Sequence, residues 1–385
     1  MDQRRNFGYK LSRLIKSLVI EVWYYMVQAM NITIVGGGNI GTLMAAELAD
    51  RGYRVTVYTS KAGRWQKQIE VYDAKDTFLL AGNIYCVTAD MKRAVEHADL
   101  IFVTVPAQTF CGLAGKLISY VRKGQYIGVV PGSGGAEFAF RPLIEKGCIL
   151  FGMQRVHSIA RLKESGKSVY MLGRKKKLEV GTIPCEQSTD IAAMLEEMFG
   201  IECEALPNYL SVTLTPSNAI LHTTRLYTMF RDYEPGKSYE RNILFYEEWD
   251  DSASEMLIAC DAELQALCHR IPLDLSAVKS LRDYYESYTE QDMTAKIRSI
   301  VAFKGLLSPM KCIGEDSWIP DFESRYFTAD FSFGLKIIKE LCGLFSVDHE
   351  NITEVWNWYQ SVAQENAKEA FSLDLEKNEC IEQYV

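Results

Sequence analysis

The fold is decided by residues 32–41, ITIVGGGNIG, where a short β-branched run leads directly into a glycine-rich loop. An amphipathic segment at 43–48 follows the loop, and a second apolar run occupies 54–58. Strand, loop, helix and strand therefore occur in the order that a βαβ unit requires. This order predicts a dinucleotide-binding start, because a lone G-x-G-x-x-G without such flanks occurs by chance in many loops.

Each glycine of the loop has a physical task in this interpretation. Gly36 permits the tight turn from strand to helix, and Gly38 lets the backbone approach a pyrophosphate. Gly41 lets the helix lie close to the sheet. Asn39 and Ile40 stand at the helix N-terminus, where unpaired N–H groups attract phosphate. We expect all five residues to contact a nicotinamide or flavin nucleotide.

The end of the second predicted strand indicates which nucleotide is preferred. An NAD site usually places Asp or Glu there to accept hydrogen bonds from the ribose 2′-hydroxyl. This chain has Thr59 and Ser60, followed by Lys61 and Arg64. Hydroxyl and basic groups suit a 2′-phosphate, so we predict NADP(H) in preference to NAD(H). The alternative is that Lys61 and Arg64 are ordinary solvated loop charges.

The first half of the chain alternates short apolar runs with helical segments, which predicts an α/β Rossmann-type doubly wound domain. Two loops fall at the carboxyl edge of the predicted sheet, where open α/β sheets bind ligands. We expect Val105 and Pro106, in the loop 104–107, to line the cofactor cleft. The glycine-rich loop 131–135 is either part of that cleft or an ordinary turn. The candidate strands are Ile32–Val35, Val55–Tyr58, Ile84–Val87, Leu100–Val105, Tyr126–Val130, Ile149–Gly152 and Val169–Leu172.

After about residue 207 the pattern changes to long helical periodicities, and strand signals almost vanish. Helices are predicted over 251–269, 335–344 and 352–367. We therefore divide the chain into an N-terminal extension at 1–29, a dinucleotide-binding domain at 30–206 and a mostly α-helical substrate domain at 207–385. The extension contains an apolar stretch that is too short to span a bilayer and lacks a signal-peptide cleavage site, so we expect a surface helix or a start codon assigned upstream of Met30.

The amino-acid composition limits the classes of molecule that the protein is expected to bind. The formal net charge of −8 argues against general nucleic-acid binding, although a local arginine cluster can still bind small anions. The 10 cysteines form no C-x-x-C pair, and no Cys/His cluster has metal-ligand spacing, so neither a zinc site nor a disulfide framework is indicated. We expect a cytoplasmic protein that acts on small molecules without a metal or a membrane partner, either alone or as a homodimer.

The chemistry of the second half is concentrated in two stretches, TPSNAILHTT at 215–224 and DFESRYFTADFSFGL at 321–335. On a helix, Asn218 and His222 are four apart and share one face. Taken alone, His222 is more often a satisfied core histidine than a catalyst. Without a family resemblance, Arg325 and Asp330 are better explained as a structural ion pair, or by Asp330 capping a helix that starts near Phe331.

The glycine loop and the NAILH and RYFTAD stretches together resemble the opine dehydrogenases, the octopine/nopaline dehydrogenase family. The resemblance extends over most of residues 31 to about 345. It implies a Rossmann domain followed by a helical domain, and an enzyme that uses NAD(P)H to join the amino group of an amino acid to an α-keto acid. It also implies that His222 and Asp330 are the catalytic pair and that Arg325 binds a substrate carboxylate, with Asn218 orienting a substrate or a water.

The chain departs from the family pattern at two positions. Ala219 and Thr223 stand where the family commonly has proline, which keeps the polar groups but changes the shape of the pocket. His157 and Arg161 align only loosely with a family stretch near the active site. Two alternatives to an opine dehydrogenase remain at this point: a keto- or hydroxy-acid reductase of the same two-domain plan, and a protein that binds NADP(H) without turnover.

Overall fold

The computed structural model describes residues 30–363 and 370–384, so the proposed extension at 1–29 lies outside the described residues. Fourteen strands occur in this part of the chain: β1 Asn31–Val35, β2 Arg54–Tyr58, β3 Gln68–Tyr72, β4 Phe78–Asn83, β5 Cys86–Thr88, β6 Leu100–Val103, β7 Tyr126–Val129, β8 Ile149–Met153, β9 Ser158–Glu164, β10 Ser168–Arg174, β11 Lys177–Ile183, β12 Glu202–Ala205, β13 Met310–Gly314 and β14 Ser317–Pro320.

An eight-stranded sheet forms the frame of the first half, in the order β12-β11-β8-β7-β6-β1-β2-β5. All neighbouring strands pair in parallel, except that β11 pairs with β8 in the antiparallel direction. The order reverses around β1, which lies between β2 and β6, and this switch point is where open α/β sheets bind ligands. The predicted doubly wound Rossmann-type fold is confirmed.

Helices complete both halves: α1 Asn39–Asp50, α2 Met91–Val95, α3 Phe110–Leu117, α4 Ala136–Ala139, α5 Arg141–Glu145, α6 Ser188–Phe199, α7 Leu210–Thr213, α8 Thr223–Phe230, α9 Asp251–Arg270, α10 Leu281–Tyr285, α11 Glu290–Ser299, α12 Arg325–Thr328, α13 Lys336–Phe345, α14 Glu350–Ala363 and α15 Lys377–Glu382. Two π-helical segments, Ser217–His222 and Phe331–Leu335, precede α8 and α13 directly. Among the described residues, no helix is both long and apolar enough to cross a membrane.

The second half is mostly helical, as predicted. The prediction that it contains almost no strands was incomplete. β13 and β14 form an antiparallel hairpin within it. This hairpin carries little apolar alternation, because most of β13 is exposed, and hydrophobic periodicity therefore did not reveal it.

A second sheet, in the order β4-β3-β10-β9, corrects the strand predictions further. The run predicted at 169–172 belongs to this sheet and not to the main one, and the run predicted at 84–87 begins later, at β5. The small sheet packs on α1 so closely that a Cβ on Gly82 would lie 2.2 Å from the carbonyl oxygen of Ala46. It therefore covers the helix that follows the glycine loop.

The two halves share one buried apolar cluster. Val35 and Val103 of the main sheet belong to it together with Leu221 and Phe331 of the helical half. Glu137 adds a polar link, because its fully buried carboxylate accepts hydrogen bonds from Thr213 at 2.6 Å and from Tyr384 at 2.9 Å. Burial raises the pKa of Glu137 to about 7. The shared apolar cluster and the hydrogen bonds of Glu137 thus hold the two halves and the C-terminal segment against each other.

Candidate active site

The glycine loop is built around contacts that leave no room for side chains. Gly36 has φ +120°, in the region that favours glycine. A Cβ on Gly41 would lie 1.9 Å from the carbonyl oxygen of Gly36 and 2.6 Å from Oγ1 of Thr104. The first turn of α1 is therefore pressed against the end of β1, as the sequence predicted for this position.

Gly38 is the exception in the same loop. A Cβ there would have no neighbour within 4 Å, although Gly38 is the residue at which α1 begins. No side chain caps the N-terminus of α1, and its first turn carries no acidic residue. Unpaired N–H groups beside open space are the setting in which a pyrophosphate binds, so this cradle fits a dinucleotide.

The remaining loop residues have mixed roles. Asn39 uses its side-chain oxygen to accept a hydrogen bond from the Leu162 N–H at 2.9 Å, which fixes the loop to β9. Thr104 donates its hydroxyl to the Val35 carbonyl oxygen at 3.1 Å, and Val105 and Pro106 follow it at the carboxyl edge of the sheet. Val105 lies against the glycine loop, because its Cγ1 would be 3.1 Å from a Cβ on Gly36.

The residues after β2 begin next to the glycine loop. Thr59 is buried, and its hydroxyl lies 3.1 Å from the position of a Cβ on Gly37. Ser60, Lys61 and Arg64 are exposed, and neither basic side chain is ion-paired with a described residue. No carboxylate occurs between 59 and 64.

Two glycine-to-alanine substitutions separate nucleotide contact from folding. We predict that Gly38→Ala keeps the melting temperature within about 2 °C of the unmodified protein and weakens cofactor affinity at least tenfold, because its Cβ enters only the open space at the phosphates. Gly41→Ala should lower the melting temperature itself, because its Cβ collides with backbone.

Thermal melts with and without NADPH measure both effects. Gly112→Ala is the control, because Gly112 lies in α3 and a Cβ there also meets nothing within 4 Å. Cofactor affinity of Gly38→Ala equal to that of Gly112→Ala would contradict this placement of the phosphates.

His222 is the centre of the second half of the site. It ends the first π-helical segment and is only 7% exposed. Its Nδ1 lies 2.8 Å from a carboxylate oxygen of Asp330, and its Nε2 lies 2.9 Å from the hydroxyl of Tyr246. A carboxylate can only accept, so Nδ1 carries a proton, and in the neutral ring Nε2 accepts from Tyr246. Two stretches separated by 108 positions thus meet at one imidazole.

The two π-helical segments make this meeting possible. Asp330 directly precedes the segment that contains Gly334, and a Cβ on Gly334 would lie 3.1 Å from the Cβ of Ala219 in the other segment. A π-helical turn adds one residue to an α-helical turn and often marks a functional site. The close approach of these two irregular turns brings the carboxylate of Asp330 to the ring of His222.

Both structural alternatives for Asp330 and Arg325 are wrong. Asp330 makes no side-chain capping hydrogen bond to the following segment, because its carboxylate is used by His222. Arg325 is exposed, forms no ion pair with any residue the structure describes, and places its guanidinium carbon 5.7 Å from the ring centroid of Tyr326. The ring of Tyr326 lies 4.8 Å from that of His222, so the guanidinium of Arg325 stands close to the His222–Asp330 pair.

Asn218 was predicted to share a helical face with His222, but it does not join the group formed by His222, Asp330 and Tyr246. Its side chain is exposed and makes no hydrogen bond with His222 or Asp330. His157 also lies elsewhere: it is fully buried, and its Nε2 contacts Glu47 of α1 at 2.5 Å. Arg174 pairs with the same carboxylate, so this group holds the small sheet to α1.

Tyr246 is a member of the His222 cluster that the sequence did not reveal. It lies between α8 and α9, in a segment without helical or strand periodicity, and only the density of aromatic residues around it is unusual. Its ring stacks on Phe303 at 4.0 Å and on Trp249 at 6.4 Å. Burial raises the pKa of Tyr246, which keeps its hydroxyl protonated as a donor near neutrality.

Comparisons with known proteins agree with this architecture. Residues 205–363 match the family model described as the alpha-helical domain of NAD/NADP octopine/nopaline dehydrogenase. Residues 31–132 match the N-terminus of NAD-dependent glycerol-3-phosphate dehydrogenase. The helical half of the chain thus matches the octopine/nopaline dehydrogenase family model.

Curated proteins named as opine-type dehydrogenases are similar to this chain along most of their length. Tauropine dehydrogenase of Arabella iricolor is 26% identical over 365 residues, which is 86% of this chain and 91% of that protein. Octopine dehydrogenase of Mizuhopecten yessoensis is 26% identical over 373 residues, or 90% and 92% of the two chains. A solved structure of octopine dehydrogenase with NADH and L-arginine has a TM-score of 0.77 at 25% identity, covering 86% of this chain and 89% of that one. The family resemblance predicted from the motifs is confirmed.

Proposed function

We propose that this protein is an opine dehydrogenase, which uses a reduced nicotinamide nucleotide to convert an amino acid and an α-keto acid into a secondary amine dicarboxylate. The observation that carries the proposal is the His222–Asp330 pair at 2.8 Å, close to the guanidinium of Arg325, which has no ion-pair partner among the described residues. The named relatives support the reaction class, since they are tauropine and octopine dehydrogenases. Condensing an amine with a keto acid requires proton transfer and carboxylate binding, and this cluster offers both.

The glycine loop and the N-terminus of α1 would hold the nucleotide, whose nicotinamide supplies the hydride. His222 gives or takes the proton when the imine forms and when it is reduced, because imidazole exchanges protons efficiently near neutrality. Asp330 accepts from Nδ1, which fixes the ring orientation and leaves Nε2 as the exchanging nitrogen. Arg325 binds a substrate carboxylate through its planar fork of N–H donors.

We propose further that NADP(H) is preferred over NAD(H). The support is the group of Thr59, Ser60, Lys61 and Arg64 after β2, where hydroxyl and cationic side chains are present and no carboxylate is available to repel a 2′-phosphate. Arg64 and Lys61 are exposed and unpaired with described residues, so they are free to meet the phosphate.

Location and assembly are also proposals. All 10 cysteines are unpaired and several are buried, which suits the reducing cytoplasm. We retain a homodimer as the candidate assembly. Trp356 and Tyr359 are buried within the helical half and therefore do not offer an exposed surface for such an assembly.

A matrix of α-keto acids against amino acids tests the function directly. We expect cofactor oxidation, followed at the nicotinamide absorbance with NADPH and NADH in parallel, only when both an amino acid and a keto acid are present. NADPH should give the higher kcat/KM. Oxidation by a keto acid alone would identify a keto-acid reductase, and cofactor binding without turnover across the matrix would identify a nucleotide-sensing protein.

The hydrogen bond from Tyr246 to His222 predicts that loss of the tyrosine hydroxyl lowers kcat and changes the KM values little. Tyr246→Phe keeps the stacked ring but frees Nε2 of His222, so the imidazole is held on one side only. We expect kcat to fall about 10- to 100-fold, since orientation contributes to general acid–base catalysis, and the pH profile of kcat to shift. The KM values should change less than threefold.

Tyr227→Phe is the matched control, because Tyr227 is a buried tyrosine of the same half whose hydroxyl bonds Glu354 and not His222. A kcat and pH profile for Tyr246→Phe that match those of Tyr227→Phe would show that the contact with Nε2 has no role in turnover.

A further inference from the structure

The nucleotide loop contains three consecutive glycines, although the dinucleotide motif requires only two of them. The motif G-x-G-x-x-G fixes Gly36, Gly38 and Gly41 and leaves the position of Gly37 open. A Cβ on Gly37 would lie 2.9 Å from Cζ2 and 3.3 Å from Cε2 of Trp65. The indole of Trp65 therefore takes the space that a side chain at this position would need.

Trp65 meets the glycine loop beside the residue that follows β2. That residue is Thr59, whose Oγ1 would lie 3.1 Å from the same Cβ on Gly37. In dinucleotide-binding sheets, the end of the second strand meets the ribose of the adenosine half, and the glycine loop meets the pyrophosphate. The indole thus lies next to the adenosine half of the expected nucleotide site.

The small sheet fixes the backbone of Trp65. Gly166, in the turn between β9 and β10, has φ +74°, and a Cβ there would lie 3.0 Å from Cα of Trp65 and 2.7 Å from the carbonyl oxygen of Arg64. The N–H of Gln66 donates to the carbonyl oxygen of Gly166 at 2.9 Å. The tight turn of the small sheet therefore holds Trp65 in place beside the glycine loop.

The surroundings of the indole suit an adenine ring. Trp65 packs against the apolar core that the main sheet shares with the small sheet, yet it is only partly buried, so part of its surface is open to a ligand. Every nucleobase has a flat π-face, and aromatic side chains bind bases by stacking on that face. Phosphate and ribose need charged groups and hydroxyls, whereas a large aromatic surface suits the base.

We propose that Trp65 forms the wall on which the adenine of the nicotinamide nucleotide stacks. The proposal deepens the function proposed above and rests on it, because it concerns how the same nucleotide is held. It applies to NADP(H) and NAD(H) alike, since both contain adenine. Trp65 supplies affinity for the base, and the choice between the two nucleotides is left to the group of Thr59, Ser60, Lys61 and Arg64.

Calorimetric titration with nucleotide fragments tests the stacking without turnover. The probes are ADP and adenosine 2′,5′-bisphosphate, which contain adenine, and reduced nicotinamide mononucleotide, which does not. For Trp65→Ala we expect the Kd of both adenine fragments to rise about 10- to 100-fold, as for loss of base stacking, and the Kd of the mononucleotide to stay within about twofold. Trp65→Phe, which keeps an aromatic face, should lose less affinity than Trp65→Leu, which keeps only apolar packing.

Trp318→Ala is the matched control, because Trp318 is also partly buried but lies on β14 of the helical half. It should leave all three Kd values unchanged. The contact with Gly37 provides a second comparison. Gly37→Ala should weaken binding of the adenine fragments, because its Cβ displaces the indole, and should have no such effect when Trp65→Ala is already present.

Two results would overturn the proposal. One is a Kd of the adenine fragments for Trp65→Ala equal to that for Trp318→Ala. The other is an equal loss of affinity for the adenine fragments and the mononucleotide, which would show a general disturbance of the loop. The proposed function fails separately, if the unmodified protein shows no amine-dependent turnover. If it turns over and Trp65→Ala keeps its affinity for the adenine fragments, only the role of Trp65 fails.

Discussion

The site depends on the imidazole of His222 being held at both nitrogens in a place almost closed to solvent. Asp330 accepts a hydrogen bond from Nδ1–H and Tyr246 donates one to Nε2, so the ring has one orientation and its neutral form has one tautomer. Aromatic rings fill the remaining contacts, with Phe245 at 5.5 Å and Tyr326 at 4.8 Å. A polar group so deeply placed is stable only with its partners, and these same partners prepare it to move a proton.

The irregular backbone around the pair follows from the same constraint. His222 ends the first π-helical segment and Asp330 directly precedes the second, and each segment continues directly into a regular helix. Gly334 lets the two turns approach, since its missing side chain leaves room for Ala219. Ala219, where the resemblance leads one to expect proline, is the residue of the first segment that packs against Gly334 of the second.

Features that depend on residues close together in the sequence, such as the glycine loop, were predictable from the sequence. The glycine loop has a fixed spacing because backbone contacts exclude side chains at Gly36 and Gly41, so its motif carried the Rossmann fold. The small sheet was mostly missed, since strands such as β4 are largely exposed and show no clear alternation. Tyr246 was missed because its role comes from a contact with a residue 24 positions away in a segment without a motif. The exposure of Asn218 shows the limit of helical spacing where the turn is not α-helical.

The central claim is that Asp330 and His222 act as one proton-transferring unit, and steady-state kinetics of Asp330→Asn with NADPH, an amino acid and a keto acid test it most directly. Asn is nearly isosteric but uncharged and can present a donor to Nδ1, which favours the wrong tautomer. We predict a fall in kcat on the order of 10²–10⁴ with cofactor affinity retained, and no such fall in the control Asp321→Asn. A kcat of Asp330→Asn within twofold of the unmodified enzyme would contradict the account.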